Sequence, residues 1–221
     1  MGSPRQIVLD FFSLLAVGCV VAANFLGLYY PEVITQQGVA HRIFYLHVPL
    51  AWVALYAPLL AAVSGILYLL SRRSVYDIVS LTATRISLIF SITVVISGAL
   101  WARVEWGTYW NPLDSRLNSF LVLFLILVGY FLLRGMIDAE ERRATVGALI
   151  AIFSALASVL TWFAIRLVEP DTHPQSVLGT MAPDIRLTFW IGVLAYHLFF
   201  LALVYRLYIF EMIQRKYQTG V

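Results

Sequence analysis

Residues 114–134 read DSRLNSFLVLFLILVGYFLLR. No residue between Arg116 and Arg134 carries a charge. A helix rising about 1.5 Å per residue over this length crosses a hydrocarbon layer of roughly 30 Å. Five further stretches have the same character, near residues 8–30, 45–71, 84–104, 144–166 and 185–208. Hydrophobic types make up 61% of the 221 residues and charged types 12%, against roughly a quarter charged in soluble domains. Such a chain cannot cover a water-facing surface. The expected fold is all-α, a polytopic membrane protein of six transmembrane helices. Residues 1–221 form one transmembrane domain with no soluble domain left over.

The same numbers exclude other classes. A formal net charge of +3 and scattered arginines give no basic stripe for nucleic acid. Cys19 is the single cysteine, so the chain has neither an intramolecular disulfide nor a Cys-x-x-Cys-His attachment site for c-type haem. The first apolar run is longer than the core of a cleaved leader and reads as a retained helix. With the N-terminus inside, ten Lys and Arg residues fall on the cytoplasmic side: Arg5, Arg72, Arg73, Arg85, Arg134, Arg142, Arg143, Arg206, Arg215 and Lys216. Five fall outside: Arg42, Arg103, Arg116, Arg166 and Arg186. The bias puts both termini in the cytoplasm. Residues 31–44, 72–83, 105–113, 135–143 and 167–184 are left as connections, with Asp138–Arg143 a solvated turn. Asn111-Pro112-Leu113-Asp114 resembles an N-cap, a proline in the first turn and an early acid, and Ala182-Pro183-Asp184 repeats the pattern. Small residues at Gly147, Ala151, Ala155 and Ser158 predict close helix packing.

This topology gathers three unusual loops on the outer face. The first runs His41-Arg42-Ile43-Phe44-Tyr45-Leu46-His47-Val48-Pro49. The second runs from Glu105-Trp106-Gly107-Thr108-Tyr109-Trp110 through Asn111-Pro112-Leu113-Asp114 to Arg116. The third holds Thr172-His173-Pro174-Gln175. Two neutral imidazoles on opposite faces of a porphyrin are a common haem ligation. His47 and His173 could supply them, with Trp106, Tyr109 and Trp110 as an aromatic platform and Arg42 and Arg116 as forked donors for the propionates. If residues 106–110 are helical, the three platform rings share one face.

Each residue also has a plainer reading. Trp and Tyr line membrane interfaces generally, and Asp114 serves equally well as a partner of a helix N-terminus. His47 alone could bond a nearby carbonyl, and His173 beside Pro174 could be a polar loop residue. His41 is most simply solvated. His197 lies half-way through the sixth span with no second histidine at that depth, which suggests a helix-to-helix hydrogen bond. Cys19 reads as a packing residue.

Taken together, Arg42–Pro49 followed by Ala51-Trp52, then Trp106–Trp110 with Asp114 and Arg116-Leu117, then His173-Pro174-Gln175, resemble the CcmC family. This is the haem-handling membrane family of cytochrome c maturation, with its tryptophan-rich WWD signature. The resemblance covers most of the chain. It implies haem b held non-covalently and transiently at the outer face of a bacterial inner membrane, with His47 and His173 as metal ligands. It also implies presentation to a periplasmic chaperone of the CcmE kind, assisted by the ABC-type proteins CcmA and CcmB and by small CcmD. No phosphate-binding loop occurs here, so the resemblance implies no enzyme activity in this chain. Two departures stand out: Leu113 occupies the place of a third tryptophan before Asp114, and aromatics are missing around Arg166-Leu167-Val168. CcmF and CcsA share the signature but are longer. Two other classes stay open on the residues alone. A b-type cytochrome or quinone-reactive anchor would use His197, and a small-solute transporter would use the aromatic vestibule.

Overall fold

The computed structural model describes residues 4–34, 37–167 and 181–219. Six helices account for most of them: α1 (Pro4–Tyr29), α2 (Phe44–Ser71), α3 (Ser74–Trp106), α4 (Ser115–Gly135), α5 (Glu140–Leu167) and α6 (Pro183–Thr219), with a 3-10 helix Gly38–Ile43 before α2. All six are long and apolar enough to cross a membrane. The all-α, six-helix expectation therefore holds.

At the centre is α2, packed against α3, α5 and α6, with α1 touching it more lightly. Its buried face is rich in small residues: Ala54, Ala57 and Ala61 are fully enclosed. Small side chains let backbones approach where lipid offers no hydrophobic drive between helices. Thus a Cβ on Gly65 would lie 3.1 Å from the Ala148 backbone of α5. The small residues expected to pack on α5 do so: Ala151, Ala155 and Ser158 are buried, and Gly147 lies against the Arg134 guanidinium.

α2 also contains Pro49 and Pro58. A proline has no N–H, so Pro58 releases the carbonyl of Ala54 four residues earlier. No water is present in a bilayer core to satisfy it. The Ser87 hydroxyl of α3 donates to that carbonyl at 2.9 Å, and the Ser158 hydroxyl of α5 donates to the neighbouring Leu55 carbonyl. Pro49 releases the carbonyl of Tyr45, against which α6 places Gly192.

Four boundaries differ from the sequence expectation. Residues 74–83, expected in a loop, form the first turns of α3, so the connection shrinks to Arg72 and Arg73. Their polar groups face inward. Asp77, buried, accepts both nitrogens of Arg134 (2.7 and 3.1 Å) and one of Arg215 at 2.5 Å. Neutralising ion pairs let a polar segment stay helical, which a hydropathy reading cannot register. For the same reason α6 runs past 208 to Thr219, carrying Glu211 to Arg85 at 2.5 Å and Arg215 to Glu140 at 3.2 Å. The charged stretch 138–143 is only partly a turn, because Glu140–Arg143 begin α5. At α4 the cap is Asp114 rather than Asn111, whose side chain is spent on the Leu113 N–H at 3.0 Å. Pro183 opens α6 as expected.

Two outcomes test this packing by thermal unfolding in detergent. Ser87→Ala leaves the Ala54 carbonyl unsatisfied and costs about 1–3 kcal/mol. Asp77→Asn leaves the buried Arg134 guanidinium without its counter-charge and costs about 3–5 kcal/mol.

Candidate functional site

The beginning of α2, the end of α3, the beginning of α4 and the beginning of α6 lie at one end of the bundle. The Glu32 N–H, just beyond α1, donates to Asp184 at the start of α6 (3.1 Å). The 3-10 helix joins α1 to the same end, where Arg42 donates to the Gly27 carbonyl at 3.2 Å. Arg42 thereby satisfies a carbonyl in the last turn of α1 and keeps its other donors.

His47 sits one turn into α2. Its Nδ1 is 2.9 Å from the Ser97 hydroxyl of α3. Ser97 has one proton and directs it to backbone carbonyls of its own helix, Thr93 at 2.7 Å and Val94 at 3.3 Å. With that proton on a carbonyl, the hydroxyl accepts from Nδ1–H, and in this tautomer Nε2 keeps its lone pair. Fixing one ring nitrogen in this way readies the other to ligate a metal. Among the described residues Nε2 makes no hydrogen bond. Gly98 gives the ring its space: a Cβ there would stand 3.1 Å from His47 Cε1. Arg116 lies within electrostatic range of the same imidazole.

The aromatic loop is built differently from the helical platform the sequence allowed. α3 ends at Trp106, and Gly107 caps it in the left-handed conformation (φ 73°), which glycine adopts without steric cost. The bent segment beyond takes Tyr109 and Trp110 off the helical register. Trp106 meets Trp101 edge-on at 5.4 Å. Tyr109 lies under the Arg103 guanidinium at 5.7 Å, and Arg103 also donates to the Gly107 carbonyl. Trp110 is half-buried, and its carbonyl accepts from Thr108 at 3.0 Å. Asp114 is buried and caps α4, accepting from the Arg116 and Leu117 N–H groups at 3.0 and 2.9 Å. Its second oxygen lies 3.7 Å from the Arg116 guanidinium. The capping role weighed for Asp114 is thus filled.

The candidates fall into two adjoining neighbourhoods. Arg42 and Tyr109 line a cleft of about 590 Å³ together with Arg103, Asn24, Leu46 and Leu100. His47, Asp114 and Arg116 form the other neighbourhood, and His47 does not line the cleft. His173 lies outside the described residues. In the sequence it lies between the end of α5 and the start of α6.

Two histidines differ from their expected roles. His41 is buried, not solvated: its ring stacks on Phe44 and its Nε2 is 3.4 Å from the Tyr45 hydroxyl. The 3-10 turn folds it inward beneath the start of α6. His197 bonds within its own helix, Nδ1 to the Val193 carbonyl at 2.6 Å, and meets α2 through the Tyr56 ring at 5.2 Å instead of a hydrogen bond. A helical carbonyl four residues back is nearer than any partner on another helix.

Sequence reasoning missed Ser97, Gly98 and Arg103. The adjacent small pair Ser97-Gly98 near the end of a span was the available signal, since such pairs mark close approach by a neighbour. An aromatic group of Phe44, Trp52, Phe189 and Trp190, with neighbouring ring centroids 5.2–6.0 Å apart, ties α2 to α6 and also went unread.

A family model described as heme exporter protein C matches residues 4–220. The chain belongs to the CcmC family. It is 28% identical over 195 residues to the heme exporter protein C of Paracoccus denitrificans, covering 86% of this chain and 80% of that protein. The ccmC-like mitochondrial protein of Marchantia polymorpha, described as a cytochrome c biosynthesis protein, is 30% identical over 142 residues, 64% of this chain and 59% of its own length. The Escherichia coli K12 heme exporter protein C is 34% identical over 110 residues, 49% of this chain and 43% of that one. Membership in the family and the six spans together make this a multi-pass membrane protein.

The dual position of Asp114 yields a clean expectation. Asp114→Ala loses the cap and about 0.5–2 kcal/mol, while Asp114→Asn keeps most of it. Thermal unfolding of the two variants side by side measures the difference.

Proposed function

We propose that this protein handles haem in cytochrome c maturation, as a carrier and not as an enzyme. Haem b is held non-covalently and transiently at the outer face of the bacterial inner membrane, with both termini in the cytoplasm. The observation that carries the reading is the placement of His47, whose Nδ1 is engaged by Ser97 while Nε2 makes no hydrogen bond among the described residues, in a chain of this family.

The residues present suit the group. His47, one turn into α2, and His173 are the proposed axial ligands. Trp106, Tyr109 and Trp110 offer flat apolar surface and exclude water from the macrocycle. Arg116, beside His47, and Arg42, on the cleft, are the proposed propionate partners, since a guanidinium matches a carboxylate in a fork. Asp114 holds Arg116 and the start of α4 in place. When bound, haem supplies a ferric or ferrous centre that takes two imidazole nitrogens. The exposed Tyr109 edge of the loop is where a periplasmic chaperone of the CcmE kind would meet the cargo. ATP-driven steps then belong to CcmA and CcmB, with CcmD as the small companion subunit.

Absorption spectra of the purified protein test this. His47→Ala and His173→Ala lose the low-spin haem bands, while His197→Ala retains them. The opposite pattern overturns the assignment in favour of an electron-transfer cytochrome. Ser97→Ala frees the ring to turn and weakens haem affinity about 10–100-fold, read by haem titration.

A further inference from the structure

The opposite end of the bundle holds a second cavity that the haem reading does not use. It lies among the ends of α3, α4, α5 and α6, has a volume of about 460 Å³, and is lined by Leu81, Phe131, Arg134, Glu140, Arg143, Glu211, Gln214 and Arg215, with Gly135 at its edge. That volume falls in the range of about 300–1,000 Å³ typical of ligand pockets.

The carboxylates near the wall are already engaged. Asp77, just behind it, takes Arg134 on both oxygens and Arg215 on one. Glu140 faces Arg215 at 3.2 Å, and Glu211 is held by Arg85 at 2.5 Å. Arg143 faces the same space, and among the described residues it forms no salt bridge. Three guanidinium groups on the wall thus stand against two carboxylates, and the surplus positive charge sits at Arg143. Below the charged rim, Leu81 and Phe131 supply an apolar wall between membrane-spanning helices.

We propose that this cavity binds the phosphate head of an anionic lipid, with Arg143 as the principal contact. A guanidinium above an apolar wall fits an amphiphile with a phosphate head and a hydrocarbon body, and suits a free phosphate poorly. Basic pockets between helices at the membrane surface have this chemistry in general. Arg72, Arg73, Arg142 and Lys216 at the same end add attraction for an anionic leaflet. The lipid would brace the α3–α4–α5–α6 junction by supplying the anion that Arg143 lacks.

The test uses the full chain in neutral detergent, titrated with mixed micelles containing phosphatidylglycerol or phosphatidylcholine, with thermal unfolding as readout. Phosphatidylglycerol is expected to raise the midpoint and phosphatidylcholine to leave it unchanged. In Arg143→Gln the phosphatidylglycerol concentration for half the shift rises about fivefold, the equivalent of one basic contact. Gln214→Glu, which adds a carboxylate to the wall, weakens the response independently, whereas Arg142→Gln, one residue away and exposed, preserves it. Millimolar inorganic phosphate leaves the midpoint unmoved. The proposal is overturned if neither lipid shifts the midpoint or both shift it equally. It is also overturned if Arg143→Gln responds like the parent chain, or if inorganic phosphate reproduces the shift. None of these readouts involves haem, so the result stands apart from the function proposed for the other end.

Discussion

The central helix must leave no carbonyl without a donor in a medium that offers no water. α2 contains two prolines, and each removes a donor from its own ladder. Ser87 and Ser158 restore the balance at Pro58, one from α3 and one from α5. These bonds fix the depth at which both neighbours meet α2, and the alanine face between them lets the backbones close to contact. Around Pro49, α6 comes close to the released Tyr45 carbonyl at Gly192. The position of His47 follows, because it lies two residues before Pro49 on the helix that all the others are registered against.

The two ends of the bundle solve different problems. At one end, buried Asp77 draws Arg134 and Arg215 together and so joins three helices through charge. A buried ion pair contributes less net stability than its geometry suggests, because both partners lose hydration; its effect here is to fix which helix ends adjoin. At the other end aromatic rings gather among the charged groups. There the positioning bonds are local: Asp114 caps α4, Gly107 ends α3, and Arg103 fastens the loop between them. Such a loop keeps a rigid base and an exposed edge, a form suited to holding a flat ligand and showing part of it to another protein.

The histidines show how environment divides residues of one type. His47 is held by Ser97 of the neighbouring helix. His197, deeper in the bundle, is tied to its own helix, and His41 is folded beneath aromatic rings. Residue type alone gave the four equal standing. Neighbours separated them, and the neighbour that matters most for His47 is a serine fifty positions away in the chain.

Much of the architecture was legible because a bilayer imposes a simple rule: each span needs a long uncharged run, and six such runs are present. The motif residues at one end were legible too, since alternate crossing of a membrane puts every second connection on the same side. The starts of α3 and α5 and the end of α6 were not, because helical backbone continues into polar sequence wherever charges find partners. Asn111 read as the cap and Asp114 as an early acid until the turn spent the Asn111 side chain on Leu113. Ser97, Gly98 and Arg103 carried almost no signal, because a serine, a glycine or an arginine acquires meaning here only from what stands opposite it. The sequence by itself determined that this is a six-helix membrane protein with His47 and the Trp106–Trp110 segment at one end, because hydrophobic length and chain order are properties of one dimension. Only the tertiary structure decided that Ser97 stands against His47 and that Arg143, lining the far cavity, forms no salt bridge among the described residues, because both depend on distances between helices.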